Sequence, residues 1–517
     1  MPKLEPIIDV LDNVGDSIII NDYSGGLNTT ESNELLKNNE AIVRQNWGQE
    51  SLGAIKKVNG FTKINSTKIA DAPIRGLFRV YLSNGTKQLL AMCNGGLYYS
   101  DDDGENFTQE SGVVSFSTSQ FNHGVNYNNL FFFTNTTNNL YHYTVGTTTA
   151  AAATDTPTYP CKILLKRADR RLLALINSTY GATLFYSKID PTGTSGTDWS
   201  ATNDAGSIAI DGALSEPLTG GMTFGSYDLI FKQYACFKVW GYPAPQAVRM
   251  PGSPGCIAPY SPAQGDGLGF HLAHDGIYMY DGNKFIKISD PIKSLIDTIR
   301  ANYKINAFGV YRDGLYRLFY TKSGDTVNKS CLIYDVFHSN PYEGRNIWYQ
   351  RKGLEMNCPI VFDGETDDNE LYAGGSASTG FVYELDYSST GADNTSNIKA
   401  IYQTKYFNGG TPHLVKAYRK LHIRYYSAGG ELLINWYTNR GNTTGNFIIA
   451  ASQTGTALGS FILDTSTLAG MVENEHTERL PDTAIGKDIS IKITHDDKGV
   501  PPIIRDMTID YDALYAI

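Results

Sequence analysis

The segment Tyr99-Ser-Asp-Asp-Asp-Gly-Glu-Asn-Phe107 carries the densest pattern of chemistry-capable residues in the chain. Ser100, Asp102, Gly104 and Phe107 stand at the spacing of an Asp-box, in which a carboxylate accepts turn amides and staples a hairpin. The same acidic run invites a calcium-loop reading. However, the first ligand position of an EF-hand must be acidic, and here it is Tyr99. A structural staple is therefore expected. A sialidase, which also uses such boxes, would need an arginine cluster and a Tyr/Glu pair that no local pattern supplies.

Other candidates fail on spacing. His271 and His274 are three apart on a strand pattern, so they point to opposite faces and cannot chelate one metal together. The acidic stretch Asp363 to Glu370 is expected to be a solvated loop. Gly265-Asp-Gly-Leu-Gly269 has the wrong spacing for a dinucleotide fingerprint and lies outside any βαβ pattern. No Walker sequence, G-x-S-x-G or H-E-x-x-H occurs. Cys93, Cys161, Cys236, Cys256, Cys331 and Cys358 are scattered in strand-like surroundings without a C-x-x-C pair, as expected of reduced core thiols. Lys162 to Arg171 carries five positive charges against Asp169, which suggests a strand edge blunted by charge. No catalytic, cofactor-binding or metal-ligating residue is assigned, and a non-enzymatic role is expected.

The elements around these residues repeat one theme: an aromatic or β-branched strand, a tight Gly/Asp/Asn turn, another strand, a polar loop. Phe270 to Asn283 is its clearest copy, with Asp275-Gly276 and Asp281-Gly282 as turns suited to positive φ. Repeats with a period of about 40–50 residues start near Ile74, Phe121, Cys161, Gly206, Cys256, Lys304 and Met356, the spacing of propeller blades. The expected fold is all-β: residues 1–55 an N-terminal arm of lead-in strands, 56–395 a β-propeller of about six to eight blades around a hollow hub, and 396–517 a C-terminal β-sandwich. Two helices are expected. One is short, near Glu31 to Lys37, capped by Thr29 or Thr30. The other is capped by Asp290 with Pro291 in its first turn, and Ile292, Leu295, Ile296 and Ile299 form one stripe.

Composition narrows the partners. Formal net charge is −10, and a net-acidic chain is a poor sequence-independent DNA binder, although it suits a surface that DNA slides past. No apolar run is long enough to span a membrane, and the N-terminus does not read as a secretory signal.

An ordered set of short motifs runs along most of the chain: Ser24-Gly-Gly-Leu-Asn28, Asn38-Asn-Glu40, Asn46, Lys57-Val-Asn-Gly60, Val239-Trp-Gly241, Asp275-Gly-Ile-Tyr278 with Ile288-Ser289, Tyr334-Asp335 with Trp348, Gly380-Phe-Val-Tyr-Glu-Leu-Asp386, Thr404-Lys405, and Lys416 to Ile423. This set resembles the β-propeller tail proteins of bacteriophages, of the nozzle or packaged-DNA-stabilising kind in short-tailed phages. Lys57 departs from the family's more usual Arg. The resemblance implies a virion protein assembled in the host cytoplasm. It would form a homo-oligomeric ring, commonly a hexamer, at the end of the tail. The ring would continue the DNA channel, help retain the packaged genome, and let double-stranded DNA pass without sequence-specific binding. It would contact tail adaptor or portal-proximal proteins and tail fibres, a needle or a plug. Two other readings stay open: a carbohydrate- or receptor-binding propeller with aromatic platforms on one rim, and a glycoside-cleaving propeller.

Overall fold

The computed structural model describes residues 16–112, 114–176, 181–212, 215–242, 244–362, 369–387, 391–426, 430–450 and 473–514. The chain divides into two compact units, one from Asn59–Ser396 and one from Met1–Val58 together with Asn397–Ile517.

Among the described residues of the first unit, seven sets of four antiparallel strands follow one another. Their first strands are Ile74–Tyr81, Asn122–Tyr127, Cys161–Lys166, Leu218–Phe224, Ala263–Gly265, Phe308–Arg312 and Met356–Phe362. Each first strand packs against the next, and the seventh packs against the first, so the unit is a closed seven-bladed β-propeller. The sequence of the second blade shows why the ring must close. In Leu130-Phe-Phe-Phe-Thr134 a strand's two-residue period sends Phe131 and Phe133 to one face and Phe132 to the other. Phe131 and Phe133 pack with Val80, Leu90 and Met92 of blade 1. Phe132 packs with Leu164, Leu172 and Ala174 of blade 3. Both faces are apolar, so a blade needs a neighbour on each side; truncating one such phenylalanine to alanine typically costs about 3–5 kcal/mol.

The last blade closes the circle with a strand from the other end of the sequence. Met356–Phe362, Glu370–Gly375 and Val382–Tyr387 are completed by Gly60–Lys63, with Tyr383 opposite Lys63 and Glu384 opposite Thr62.

The second unit holds two sheets. One runs Glu473–Arg479, Lys416–Tyr426, Ile503–Ala513, Ala54–Lys57, Trp47–Ser51, with Asp16–Ile20 also paired to Ile503–Ala513. The other contains Glu40–Gln45, Ser396–Thr404, Ile489–Asp497, Leu432–Thr438 and Thr443–Ile449. Their apolar faces bury Trp47, Tyr402, Ile423, Trp436, Ile491 and Ile509 in one core. Residues 1–55, expected as a separate arm, do supply lead-in strands, but those strands complete this sandwich and share its core. Arg44 pins them: its guanidinium donates to Trp47 O (3.0 Å), Tyr23 O (3.1 Å) and Gln49 Oε1 (2.7 Å).

Several expectations need correction. The repeat start near Gly206 is displaced: Gly206–Ala209 is the outermost strand of blade 3, and blade 4 begins at Leu218. No helix forms at Glu31 to Lys37. Turns take its place, with Leu35 and Leu36 N–H both donating to Ser32 O, and Asn28 rather than Thr29 or Thr30 accepts the amides of Thr30 and Glu31. The second helix shrinks to a 3-10 turn at Asp290–Ile292 and one α turn at Lys293–Ile296. Its stripe is nonetheless buried at Ile292, Ile296 and Ile299. Asp290 does not cap it; its carboxylate meets Lys287 at 3.2 Å. Primed turn geometry appears at Asp266-Gly267 and Asp313-Gly314, where both φ values are positive, and not at Asp275-Gly276.

The seam between blades 7 and 1 gives a direct test. A Cβ on Gly374 would lie 2.4 Å from Ile74 Cβ, which leaves no room for a methyl group. Gly374→Ala should destabilise the propeller by about 1–3 kcal/mol through overpacking. The check is a lowered urea midpoint at unchanged slope; an unshifted midpoint would contradict the closed seam.

Candidate functional site

An open hub would itself be a conduit. It is filled. The segment Cys256 to Ser261, between the last strand of blade 4 and the first of blade 5, runs along the inner strands. Gly309 N–H donates to Tyr260 O (2.9 Å) and Ile257 N–H to Leu272 O (3.0 Å). Gly309 admits it because a Cβ there would meet Ser261 O at 2.0 Å. Tyr260 then meets Phe121 from the far side of the ring at 5.7 Å between ring centroids and stacks on Phe308 of blade 6 at 5.0 Å. Phe121 and Phe308 themselves lie 4.8 Å apart, and Arg75 of blade 1 sits over Phe121 at 4.7 Å. His123 stacks beside Tyr260 and its Nδ1 accepts the Leu164 amide. Burial pushes His123 down to about 4, so it packs as a neutral ring. Aromatic side chains from opposite blades touch, so the expected hollow hub is closed at this level.

The rim carries a cavity whose walls combine buried charge with aromatic rings. It has a volume of about 390 Å³ and lies between the Arg167–Asp169 turn of blade 3, the Thr223–Asp228 turn of blade 4 and Gly241-Tyr242. Neighbouring inner strands, Cys161–Lys166 and Leu218–Phe224, fix the first two turns side by side. Arg167 is 5% exposed and Asp228 2%; they meet at 3.1 Å. Arg167 also reaches Asp169 at 3.2 Å and donates to Gly241 O at 3.3 Å. Thr223 Oγ1 donates to Asp228 Oδ1 at 2.8 Å. Behind them Arg171 is fully buried, donates to the carbonyls of Ser187 and Asp204, and faces Asp169 at 3.8 Å. Both Asp169 carboxylate oxygens are buried without a hydrogen bond, as is Arg171 Nη2. Tyr242 is 66% exposed, its ring 5.9 Å from the Arg171 guanidinium. Tyr227 carries Lys238 over its ring at 3.8 Å.

This overturns the edge reading of Lys162 to Arg171. Cys161–Lys166 is an innermost strand, and two of the run's arginines are buried in ion pairs; only Lys166, Ala168 and Arg170 face solvent. The alternating charges in Arg167-Ala-Asp169-Arg-Arg171 were the available signal, but their partner Asp228 lies in another blade.

The Asp-box reading stands as a staple. Ser100 Oγ donates to Asp102 and accepts the Gly104 amide, while Asp102 accepts the amide and side chain of Asn106. His271 is buried between Phe231 and Tyr278, pushed down to about 3 by burial. His274 instead packs against Tyr234 with the rings tilted, 5.4 Å between centroids, so the two histidines do not meet. Gly265 to Gly269 is a hairpin turn. Most of the Asp363 to Glu370 stretch lies outside the described residues. All six cysteines are buried free thiols, and burial pushes those of Cys161, Cys256 and Cys331 up to about 12. Among the described residues no cluster of His, Cys, Asp and Glu is arranged to hold a metal, and no helix is long and apolar enough to cross a membrane.

Burial pushes the Asp228 carboxyl up to about 6, against the pull of Thr223 and Arg167. An unfolded Asp titrates near about 4. Between those values the folded chain holds a proton that the unfolded chain has released, so this group favours folding below the window and loses that contribution as pH rises through it. Asp228→Asn should therefore flatten stability between about pH 4 and 6 relative to the parent; parallel stability curves would contradict the assignment.

No family model and no curated protein matches the chain. Among solved structures, it is similar to YCF48 bound to a D1 peptide, at 12% identity over 63% of this chain and 95% of that one, with a TM-score of 0.39. It is likewise similar to the computationally designed Ika8 protein, at 8% identity over 63% of this chain and 99% of that one, with the same TM-score of 0.39. Likeness at this level carries no functional inference, and the blade count rests on the strand pairing described above.

Proposed function

We propose that this chain is a virion structural protein: a non-enzymatic subunit of the ring, or nozzle, at the distal end of a phage tail. The phage assignment comes from the ordered motifs between Ser24 and Ile423. The observation that supports ring formation is a pair of strands that end their sheets' strand order in the sandwich unit. Among the described residues, Thr443–Ile449, paired with Leu432–Thr438, and Glu473–Arg479, paired with Lys416–Tyr426, each stand last in the strand order of their sheet. The two edges lie side by side, with Phe447 stacked on His476 at 5.7 Å. Alternate residues of both strands are exposed, including Ile448 at 55%. A long exposed edge with an apolar residue invites pairing with another chain, and copies that cover one another's edges in turn build a ring if the rotation closes.

The filled hub is consistent with this reading. A DNA channel in such a ring lies on the axis shared by the copies and not through any one propeller. The net charge of −10 suits a wall past which a duplex slides without being held. The ring would form the end of the tail, retain packaged DNA, and meet the adaptor above and fibres or a plug at its side.

Mass photometry and negative-stain imaging of the purified full chain test this. A closed ring, a hexamer, is expected, and Ile448→Glu should shift the population toward smaller species. A monomer at every concentration would overturn the ring.

A further inference from the structure

We propose that the rim cavity between blades 3 and 4 is a binding site for a neutral sugar unit of a polysaccharide. The inference does not depend on the ring; it rests on the cavity alone.

Charge comes first. Arg167 and Arg171 face Asp169 and Asp228 at 3.1 to 3.8 Å, so the four groups balance one another. An anionic ligand would have to break these pairs to find an uncompensated cation. A ligand of neutral hydroxyl groups meets no such cost, because each hydroxyl both donates and accepts. It can donate to a carboxylate and accept from the neighbouring guanidinium at once. Asp169 lines the cavity; its carboxylate is ion-paired with Arg167 Nη1 at 3.2 Å, and neither group makes a hydrogen bond there. These are acceptors and a donor set next to each other, and a vicinal diol supplies the complementary pair. Charge pairing leaves their hydrogen-bonding capacity unused, and a hydroxyl that both donates and accepts can use it.

Shape and apolar surface point the same way. About 390 Å³ falls within the size range of small-ligand clefts. Tyr242, exposed at 66%, stands in the wall as a ring face on which the C–H face of a sugar can lie. Tyr227 is held in place: its hydroxyl lies 2.9 Å from that of Tyr280 and donates to Gly282 O at 3.3 Å. Arg167 and Asp228, packed between two blades, are equally fixed. The polar groups are thus on rigid elements, as expected of a preorganised site.

The test is saturation-transfer NMR with isothermal titration of the full chain. The probes are the methyl glycosides of glucose, galactose and mannose, maltotetraose, cellotetraose and mannotetraose, with sialyllactose and tetragalacturonate as acidic comparators. At least one neutral probe should bind, with affinity falling tenfold or more in Asp169→Asn and in Tyr242→Ala. Tyr242 is exposed and Asp169→Asn keeps the side chain's shape, so both variants should fold; unchanged circular dichroism checks this. The proposal is overturned if no neutral probe binds, if only the acidic probes bind, or if both folded variants bind as the parent does. The appearance of new reducing ends would also overturn it, by replacing a binding site with a hydrolytic one.

Discussion

Every blade of this propeller has two apolar faces, and that constraint organises the rest. A four-stranded sheet such as that of blade 2, with Phe131 and Phe133 on one side and Phe132 on the other, cannot be left with a face in water. The only arrangement without an uncovered face is a closed circle. Closure is made by the short strand Gly60–Lys63, which completes the blade built from Met356 to Tyr387. Both ends of the propeller sequence therefore reach the same blade. The flanking segments, Met1–Val58 and Asn397–Ile517, are free to form one unit between them. Insertion of one compact unit into another is tolerated when the inserted unit's ends lie close together.

Close contact between blades also explains the buried arginines. Arg167 of blade 3 reaches Asp228 of blade 4, and Arg317 of blade 6 reaches Asp386 of blade 7 at 2.5 Å. The first pair, buried on both sides, adds little net stability compared with apolar packing, although removing one partner is costly; in the second, Asp386 is 35% exposed. In this propeller each pair ties one blade to its neighbour in a single register. The rim pair differs from the others in standing at the wall of a sizeable cavity, where the same charges that fix two blades are also presented to a ligand.

Much of the fold was legible in local patterns. Starts near Ile74, Phe121, Cys161 and Met356 lie within a residue of the observed inner strands, because strand period and turn residues are local properties. Gly206 misled for the same reason: an outer strand has the same alternation as an inner one, and only its pairing with Thr183–Tyr186 tells them apart. The helix at Asp290 was overestimated because its buried isoleucines satisfy a helical stripe over residues that form only a 3-10 turn and one α turn. The site was much less legible. Arg167 and Asp228 are far apart in sequence, and the five positive charges of Lys162 to Arg171 gave no sign that two of them would be buried. The start expected near Cys256 falls in the run Pro254 to Pro262, which lines the hub ahead of the first strand Ala263–Gly265, where Gly309 leaves it space. The partition into arm and sandwich failed at Asp16–Ile20 and Glu40–Gln45, whose partners Ile503–Ala513 and Ser396–Thr404 lie hundreds of residues downstream.

The central claim is a closed seven-bladed ring whose axis is occupied by side chains from opposite blades. A double-mutant cycle on Phe121 and Tyr260, truncating each to alanine singly and together and measuring unfolding free energies, tests it most directly. Residues separated by half the ring should show a coupling energy of about 0.5–1.5 kcal/mol, the range for contacting aromatic pairs. Strict additivity of the two losses would mean that the rings do not touch, and the hub would be open.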